Sequence, residues 1–568
     1  MYKGIPVSEG FAIGSVYQWH ETKLDTSKKK INNLDKEIAF LHETIQKTID
    51  QLKVLMEKSR DVYGEETSKI FEAHLLIAKD PEMIIAVEQK IKNESCNMLF
   101  ALKTVSDDYV AMFEKLDDAY LKERALDIVD VRNRMIRNAL NLSPDEMVLP
   151  KKDMILVADE LTPSQIASLD LKYVKGFITE TGGKTSHSAI MSKLVGLPAI
   201  MGFDHAFKIL KNDTEIIMDG FTGEVIIDYN HETYHTYLYK RDQYIVYKDS
   251  LRRLIKEPTR SQDGHSYILS GQIGSSKDVS QVIENGADGI GLFRTEFLFT
   301  NRTKAPTEDE QFVEYKSILE MMKDKPVVIR TIDLGGDKQT PYLQIKSDLN
   351  PSLGIRAIRL SIYHQDIIYK QLKALVRASI YGNLSVMFPM VASLEEIFMV
   401  KQWIQDIKIE FDSQNIPYTN FPIGIMIEIP SAALMADEFA KHVDFFSIGT
   451  NDLIQYTFAA DRTSEDLDYL YRPFSPAIIR LIHMAAKAAK DNHIHISVCG
   501  EMASDRLALP LLLGMGIDEL SMSPSQILKS KDFVLNHHHS VFEYAAEYVL
   551  KLSTEKEILK FLKDNFQT

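Results

Sequence analysis

The chain has 568 residues, of which 45% are apolar and 26% charged, and its 81 acidic against 66 basic side chains give a net charge of −15. Length and composition describe a folded protein of three or four domains rather than a disordered one, and the sign of the charge opposes a nucleic-acid backbone or an anionic membrane as the main partner. No apolar run reaches the length of a membrane span, the N-terminus "MYKGIPVSEGFAIG" lacks the regions of a signal peptide, and Cys96 and Cys499 lack CxxC spacing, so two reduced thiols, no membrane insertion and a cytoplasmic location are expected.

Residues 5 to 20 read as short apolar segments around glycines. From Ile31 the pattern changes: Leu34, Ile38, Leu41, Ile45, Ile49, Leu52 and Met56 recur at three and four residues, the period of a helix. Helical patterning continues through "EETSKIFEAHLLIAKD" and "PEMIIAVEQKIKN", with Pro81 placed to start a helix, and then through one long segment from Met98 to Leu140. After Pro150, "DMILVADEL", "VKGFITE", "PAIMGF", "TEIIMDGF" and "GEVIIDY" are β-rich runs broken by Gly, Pro, Asp and Asn, the texture of a small α/β domain that the helical block interrupts if the N-terminal runs belong to it. Asn230 to Lys256 is charged, rich in Tyr and free of Gly and Pro, which predicts a connecting helix.

Beyond residue 260 come eight strand-like runs: "SYILSGQIG", "ADGIGLF", "PVVIRTI", "LSVMFPMV", "IGIMIEI", "VDFFSIG", "IHISVCG" and "IDELSM". Helical segments separate most of them. Eight such units predict a (β/α)8 barrel, in which chemistry gathers at the C-terminal ends of the strands. Those ends carry Arg294, Arg330 with Asp333 after it, Glu428, Asn451 with Asp452, and Cys499, while Lys338 and Arg462 lie nearby in the chain. Fixed guanidinium groups, two carboxylates and a thiol suit a phosphorylated carboxylic acid held with a divalent metal, because arginine and Mg2+ neutralise phosphoryl oxygens without changing protonation state. Mg2+ takes one or two protein carboxylates plus substrate oxygens, which selects Glu428 and Asp452. A cysteine ending a buried strand is more often inert packing than a reactive group, so pattern alone leaves Cys499 open.

His187, one of sixteen histidines, stands in "TGGKTSHSAI". It reads either as a loop histidine or as a nucleophile. For the second, Gly182 and Gly183 allow backbone amides close to a phosphate, Thr185 and Ser186 supply hydroxyls, neutral imidazole attacks well near pH 7, and a helix entered at "SHSAIMSKLV" would add its positive dipole end.

The blocks "GGKTSHSAI", "DGIGLFRTEFLF", "IRTIDLGGDKQTPY", "FPIGIMIEIPSAA", "VDFFSIGTNDLIQYTFAADR" and "SVCGEMASD", in this order, resemble Enzyme I of the bacterial phosphoenolpyruvate:sugar phosphotransferase system, the phosphoenolpyruvate–protein phosphotransferase family, and the likeness covers nearly the whole chain. The resemblance implies a multidomain α/β protein. Its swivelling phosphohistidine domain (residues 1–25 and 143–228) is interrupted by an all-α bundle that binds the carrier protein HPr (26–142), and a linker helix (229–259) leads to a (β/α)8 barrel that binds phosphoenolpyruvate and forms a homodimer (260–568). By the same resemblance His187 is the phosphorylated histidine and Cys499 the proton donor. Arg294, Arg330, Arg462, Asn451, Asp452 and Lys338 hold substrate, and Glu428 and Asp452 bind Mg2+.

The sequence departs from that pattern at Lys184, where many relatives carry Arg, at Gly271 and Gln272 in place of Ala-Asn, at Arg472, and in the tail "SPSQILKSKDFVLNHHHS". A dikinase sharing the histidine turn and barrel would need a nucleotide domain, and no Gly-rich nucleotide loop precedes His187. A non-catalytic relative of the same fold would predict damage to His187, an arginine or a metal carboxylate, and all are present. His74, in "IFEAHLLIAKDPEM", is left between facing HPr and packing inside the bundle, with Glu65, Glu66 and Glu72 as acidic neighbours that either meet a basic carrier or form a solvated face.

Overall fold

In the computed structural model, the described residues are 2–20, 24–63, 65–114, 119–142, 149–162, 165–166, 169–183, 187–300, 302, 304–335, 340, 342–343, 350–461 and 465–566, with the backbone alone at 58–63, 65–69, 114, 119–124, 187, 190, 194, 361, 465–466 and 468. The chain divides into two compact units, Met1–Lys248 and Asp249–Thr568.

In the first unit β1 (Tyr2–Lys3), β2 (Ile5–Ser8) and β3 (Phe11–Gln18) do join the strands that follow the helical block: β4 (Met154–Ala158), β5 (Val174–Thr179), β6 (Ala199–Met201), β7 (Glu215–Asp219) and β8 (Glu224–Ile227). The sheet order is β1-β8-β7-β3-β4-β5-β6-β2. β3 runs parallel to β4 with Ser15 opposite Met154, so two strands distant in sequence are neighbours and the helices between them form an insertion. All five residues of β4 are buried because both faces of the sheet are covered. Leu156, Phe177, Ala189 and Met191 pack on one face, and Ile155, Val157, Ile178 and Phe203 on the other.

The inserted bundle consists of α1 (Leu34–Tyr63), α2 (Glu65–Ala78), α3 (Pro81–Glu94), α4 (Met98–Glu114) and α5 (Ala119–Ala139). The periodic residues Leu41, Ile45, Ile49 and Leu52 meet Phe71, Leu75, Val87, Ile91, Leu102 and Val131 in one core. α3 starts at Pro81, and the Asp80 carboxylate accepts hydrogen bonds from the Glu82 and Met83 amides, the local reason for its beginning. The run from Met98 to Leu140 is two helices rather than the one expected. α4 and α5 bury apolar residues of the same period in a shared core, and periodicity does not register a break between them. His74 is fully buried, its Nε2 3.2 Å from Asp127 Oδ1 on α5, so it packs inside the bundle and cannot present its ring to a partner. Glu72 is exposed, whereas the side chains of Glu65 and Glu66 lie outside the described residues.

Between β5 and β6 the chain forms α6 (His187–Val195), which packs beside β2, and after β8 comes the expected connecting helix, α7 (His231–Arg253), closed by a short turn at Leu254–Lys256. The eight runs of the second unit all form strands: β9 (Ile268–Ile273), β10 (Gly289–Arg294), β11 (Pro326–Arg330), β12 (Asn383–Phe388), β13 (Ile423–Ile427), β14 (Phe445–Ile448), β15 (His495–Val498) and β16 (Glu519–Met522). Each pairs in parallel with the next and β16 pairs with β9, closing the barrel. Parallel closure directs all eight C-terminal ends to one face, where the loops meet. Among the described residues no helix is long and apolar enough to cross a membrane.

Candidate active site

At the C-terminal face, Arg330 ends β11 with its guanidinium almost fully buried. Its Nη2 donates to Glu296 Oε1 at 2.6 Å and lies 3.2 Å from Asp333 Oδ2, while Nη1 points at Met426 Sδ, 3.8 Å away. Burial alone would weaken its charge, but Glu296, Asp333 and Glu428 outweigh that and hold it protonated well beyond the usual arginine range. Arg294, at the end of β10, lies against the Phe297 ring at 5.1 Å. The Nε atoms of both Arg294 and Arg330 are buried and without a hydrogen-bond partner among the described residues. A buried donor of this kind calls for an acceptor, and two guanidinium groups call for an anion.

Glu428 follows β13 and is 1% exposed; its Oε1 accepts the Met390 amide hydrogen at 2.6 Å. Burial, then Asp452 and Asp333, push its carboxyl up to about 8 against the opposing pull of Arg330 and Arg356. Asp452 sits in the first turn of the helix Thr450–Phe458 after β14. The Asp452 carboxylate is thus close enough to disfavour the charged form of Glu428, an arrangement that a cation would relieve.

Arg356 is the residue that strand-end reasoning missed. At 1% exposure it is the bulkiest fully buried side chain of the described residues. Its Nε and Nη2 donate to Asp333 at 2.8 and 3.1 Å, and Nη1 and Nη2 donate to Asp452 at 3.2 and 3.1 Å, so one fork joins two carboxylates. Burial acts against its charge, and Asp333 and Asp452 more than restore it. It belongs to the long connection after β11, not to a strand end, which is why position gave no signal. The usable clue was Gly335: at φ +102, with no room for a Cβ against the Ile355 carbonyl, it lets its segment form a bridge with Arg356. Glu296 was missed for a simpler reason, standing two residues past Arg294 as the partner of a different arginine.

Cys499 lies just past β15. Its amide donates to the Ile448 carbonyl at 3.0 Å and its thiol points to the same oxygen at 3.6 Å. Burial pushes the thiol up to about 11, partly offset by Ser447 and Arg330, so it carries its proton at neutral pH. Asn451 donates to Glu501 Oε1 at 3.2 Å and accepts from the Tyr471 hydroxyl at 3.2 Å and the Glu501 amide at 3.3 Å, which fixes its amide at the rim. Both loops come together because Gly500 has no side chain: a Cβ there would overlap the Thr450 hydroxyl.

Of the expected residues, Arg330, Glu428, Asp452 and Cys499 share one electrostatic neighbourhood. Arg294 and Asn451 are at the same end of the barrel. Lys338 and Arg462, and Lys184 among the departures, lie outside the described residues. Arg472 is spent on the Tyr469 carbonyl, 2.7 Å away, with Glu555 at 3.8 Å. In the first unit, His187 is the first residue of α6 and its side chain lies outside the described residues. The turn before it is built by backbone and hydroxyl bonds, Thr181 to the Asp159 carbonyl and Thr179 to the Thr181 carbonyl, with Gly182 at φ +104.

Residues 248–539 match the family described as PEP-utilising enzyme, PEP-binding domain; residues 3–124 match its N-terminal family and residues 150–223 its mobile-domain family. The phosphoenolpyruvate-protein phosphotransferase of Priestia megaterium is 43% identical over 99% of this chain and 99% of its own. Those of Bacillus subtilis and Mycoplasma capricolum are 44% and 43% identical over 100% and 99% of this chain, and 99% and 98% of theirs. A solved structure described as Enzyme I (nEIt) is 35% identical, covers 43% of this chain and 99% of that chain, and has a TM-score of 0.36. With three matched segments in order and such identity from end to end, the chain belongs to the phosphoenolpyruvate-protein phosphotransferase family of PEP-utilising enzymes.

Proposed function

We propose that the chain takes the phosphoryl group of phosphoenolpyruvate onto its own His187, releases pyruvate, and passes the group to a histidine of the carrier protein HPr, the first step of sugar uptake by the phosphotransferase system. The observation that carries this reading is the cluster of Arg294 and Arg330, each with a buried donor that has no acceptor among the described residues, beside a protonated buried thiol. Arg294, Arg330 and, by its position in the chain, Arg462 neutralise phosphate and carboxylate oxygens, with Lys338 and Asn451 assisting. The imidazole of His187 attacks phosphorus in line, and the breaking P–O bond leaves its electron pair on the enolate oxygen. Cys499 then gives its proton to the enolate carbon C3, which completes pyruvate.

Glu428 and Asp452 fit a Mg2+ ion, since two carboxylates at the ends of adjacent strands, one of them held neutral by burial and by the other's charge, are what such a cation needs. When bound, the ion would neutralise charge on the phosphate and enolate oxygens. Arg356 holds Asp452 by both oxygens, and so orients that carboxylate for the same task.

Residues 1–25 and 143–228 form the phosphohistidine domain in this reading. The bundle 26–142 receives HPr, 229–259 is the linker and 260–568 the substrate barrel and homodimer interface. One histidine serving a barrel and a bundle requires the phosphohistidine domain to swivel. Such a protein would work in the cytoplasm, where phosphoenolpyruvate is available.

Incubation with phosphoenolpyruvate and Mg2+ should label the protein with acid-labile phosphate, and added HPr should discharge it. His187→Ala should take no label. A labelled His187→Ala protein would remove the central assignment.

A further inference from the structure

The inner wall of the barrel has two chemically different halves. Leu292, Val328, Met387, Met426 and Phe445, from β10 to β14, pack in one apolar cluster that ends at Cys499. From β14 round to β9 the inward positions are mostly polar, with Phe445 and Ile268 as the exceptions. Ser447 lies opposite Ser497 in register, Ser497 opposite Glu519, and Ser521 opposite Ser270. Alternation turns these side chains inward: Ser447 shares its face with Phe445, and Ser497 with Cys499, while a Cβ on Gly271 would strike Val282 of the surrounding helix, leaving Ser270 and Gln272 to face in. The four serines and Glu519 are all more than nine-tenths buried.

This polar half has two defined ends. At the N-terminal mouth, Glu519 Oε2 is 2.8 Å from Nε2 of His495, whose ring is 36% exposed, with Asp518 at 3.5 Å from Nδ1. At the other end Ser447 faces the same interior as Cys499, and its hydroxyl too is buried without a hydrogen-bond partner among the described residues. There too Gln272 Nε2 donates to the carbonyls of Cys499 and Ser521, both at 2.8 Å, tying the rim together. Between the ends Gly291 supplies room: a Cβ there would come within 2.6 Å of Glu519 Oε1 and 2.7 Å of Ser521 Oγ. The Ser270 and Ser521 hydroxyls have no partner among the described residues. Buried hydroxyls of this sort are satisfied by ordered water, and a row of hydroxyls and water can pass protons.

We infer that this polar half is a proton path that recharges Cys499 from His495 and solvent at the opposite end of the barrel. The inference rests on the reading of Cys499 as the proton donor to C3. In each cycle the S–H bond breaks as the C3–H bond forms, leaving a thiolate at the rim end of the polar half. The thiolate takes the Ser447 proton, each hydroxyl or water behind it accepts one proton and gives one, and Glu519 receives its proton from the His495 imidazolium. His495 is refilled from solvent. No electrons are exchanged, and the thiol is restored without opening the substrate face to water.

The test separates the first turnover from the steady state, by rapid quench with phosphoenolpyruvate, Mg2+ and HPr. The resting thiol already carries its proton, so Glu519→Gln and Ser521→Ala should leave first-turnover pyruvate unchanged. Their steady-state rates should fall about tenfold or more, with a larger solvent isotope effect than the unaltered chain. Unchanged steady-state rates in both variants would overturn the path. Equal losses in both phases for Ser521→Ala, which removes a single oxygen, would assign the column to packing and overturn it too. Cys499→Ala distinguishes the two readings. If it still delivers the C3 proton at the original rate, the assignment of Cys499 itself fails; if it does not, while Glu519→Gln stays unaffected, only the path fails.

Discussion

Glu428 is a carboxyl group that folding keeps neutral. Its value rises from 4.5 to about 8 because burial, Asp452 and Asp333 all penalise the anion. A folded value above the unfolded one means the folded state binds the proton more tightly, so the stability this adds is fully present below 4.5 and is lost as pH rises through about 8. Metal-free protein should therefore lose unfolding free energy across that window in chemical denaturation, and Glu428→Gln should flatten the slope. Parallel profiles for the two proteins would refute the coupling. Added Mg2+ should release a proton and restore stability at the alkaline end. At this scale, the residues legible in sequence were those whose role follows from a strand end, such as Arg330, Glu428 and Cys499. Arg356 was not legible, because its meaning lies in joining Asp333 to Asp452, two residues over a hundred positions apart that only the closed barrel brings to one guanidinium.

Elements position those residues through a few close approaches. The loops after β14 and β15 carry Asn451, Asp452 and Cys499, and they meet where Gly500 passes the Thr450 hydroxyl. Gly500→Ala must push them apart, at a stability cost of about 1–3 kcal/mol for overpacking. A shift of that kind between proton donor and substrate groups should lower kcat roughly 100-fold with a smaller change in KM. Kinetics of pyruvate release alongside thermal unfolding would check this; a variant with normal kcat would mean that the two loops are not held by this contact. The eight barrel strands were readable because each is a short apolar run closed by turn residues, and the N-terminal strands because their texture matches that of β4 to β8. The break between α4 and α5 was hidden, since both helices continue one apolar period into the same core.

At the scale of the whole molecule, the two compact units divide the chemistry. His187 and the helical bundle belong to Met1–Lys248, and every described arginine and carboxylate of the substrate site belongs to Asp249–Thr568. Each unit has its own buried cores: the sheet and bundle clusters in the first, and one large cluster around the barrel in the second. Such units are able to fold separately. The order of textures along the chain made this division legible, because a helical block set inside a β-rich one, followed by eight alternating units, needs at least two cores. The division also predicts how the proposed reaction comes apart. A fragment of residues 1–248 keeps the nucleophile and the carrier surface but has no barrel, so phosphorylated HPr should transfer its phosphoryl group to His187 in reverse. Phosphoenolpyruvate should leave the same fragment unlabelled, even with Mg2+ present, since Arg294, Arg330 and Cys499 are gone. Autoradiography of the fragment with each donor decides the matter. Label from phosphoenolpyruvate would place substrate binding in the first unit and break the assignment of the barrel, whereas failure of the reverse transfer would show that the bundle and His187 do not suffice for exchange with the carrier.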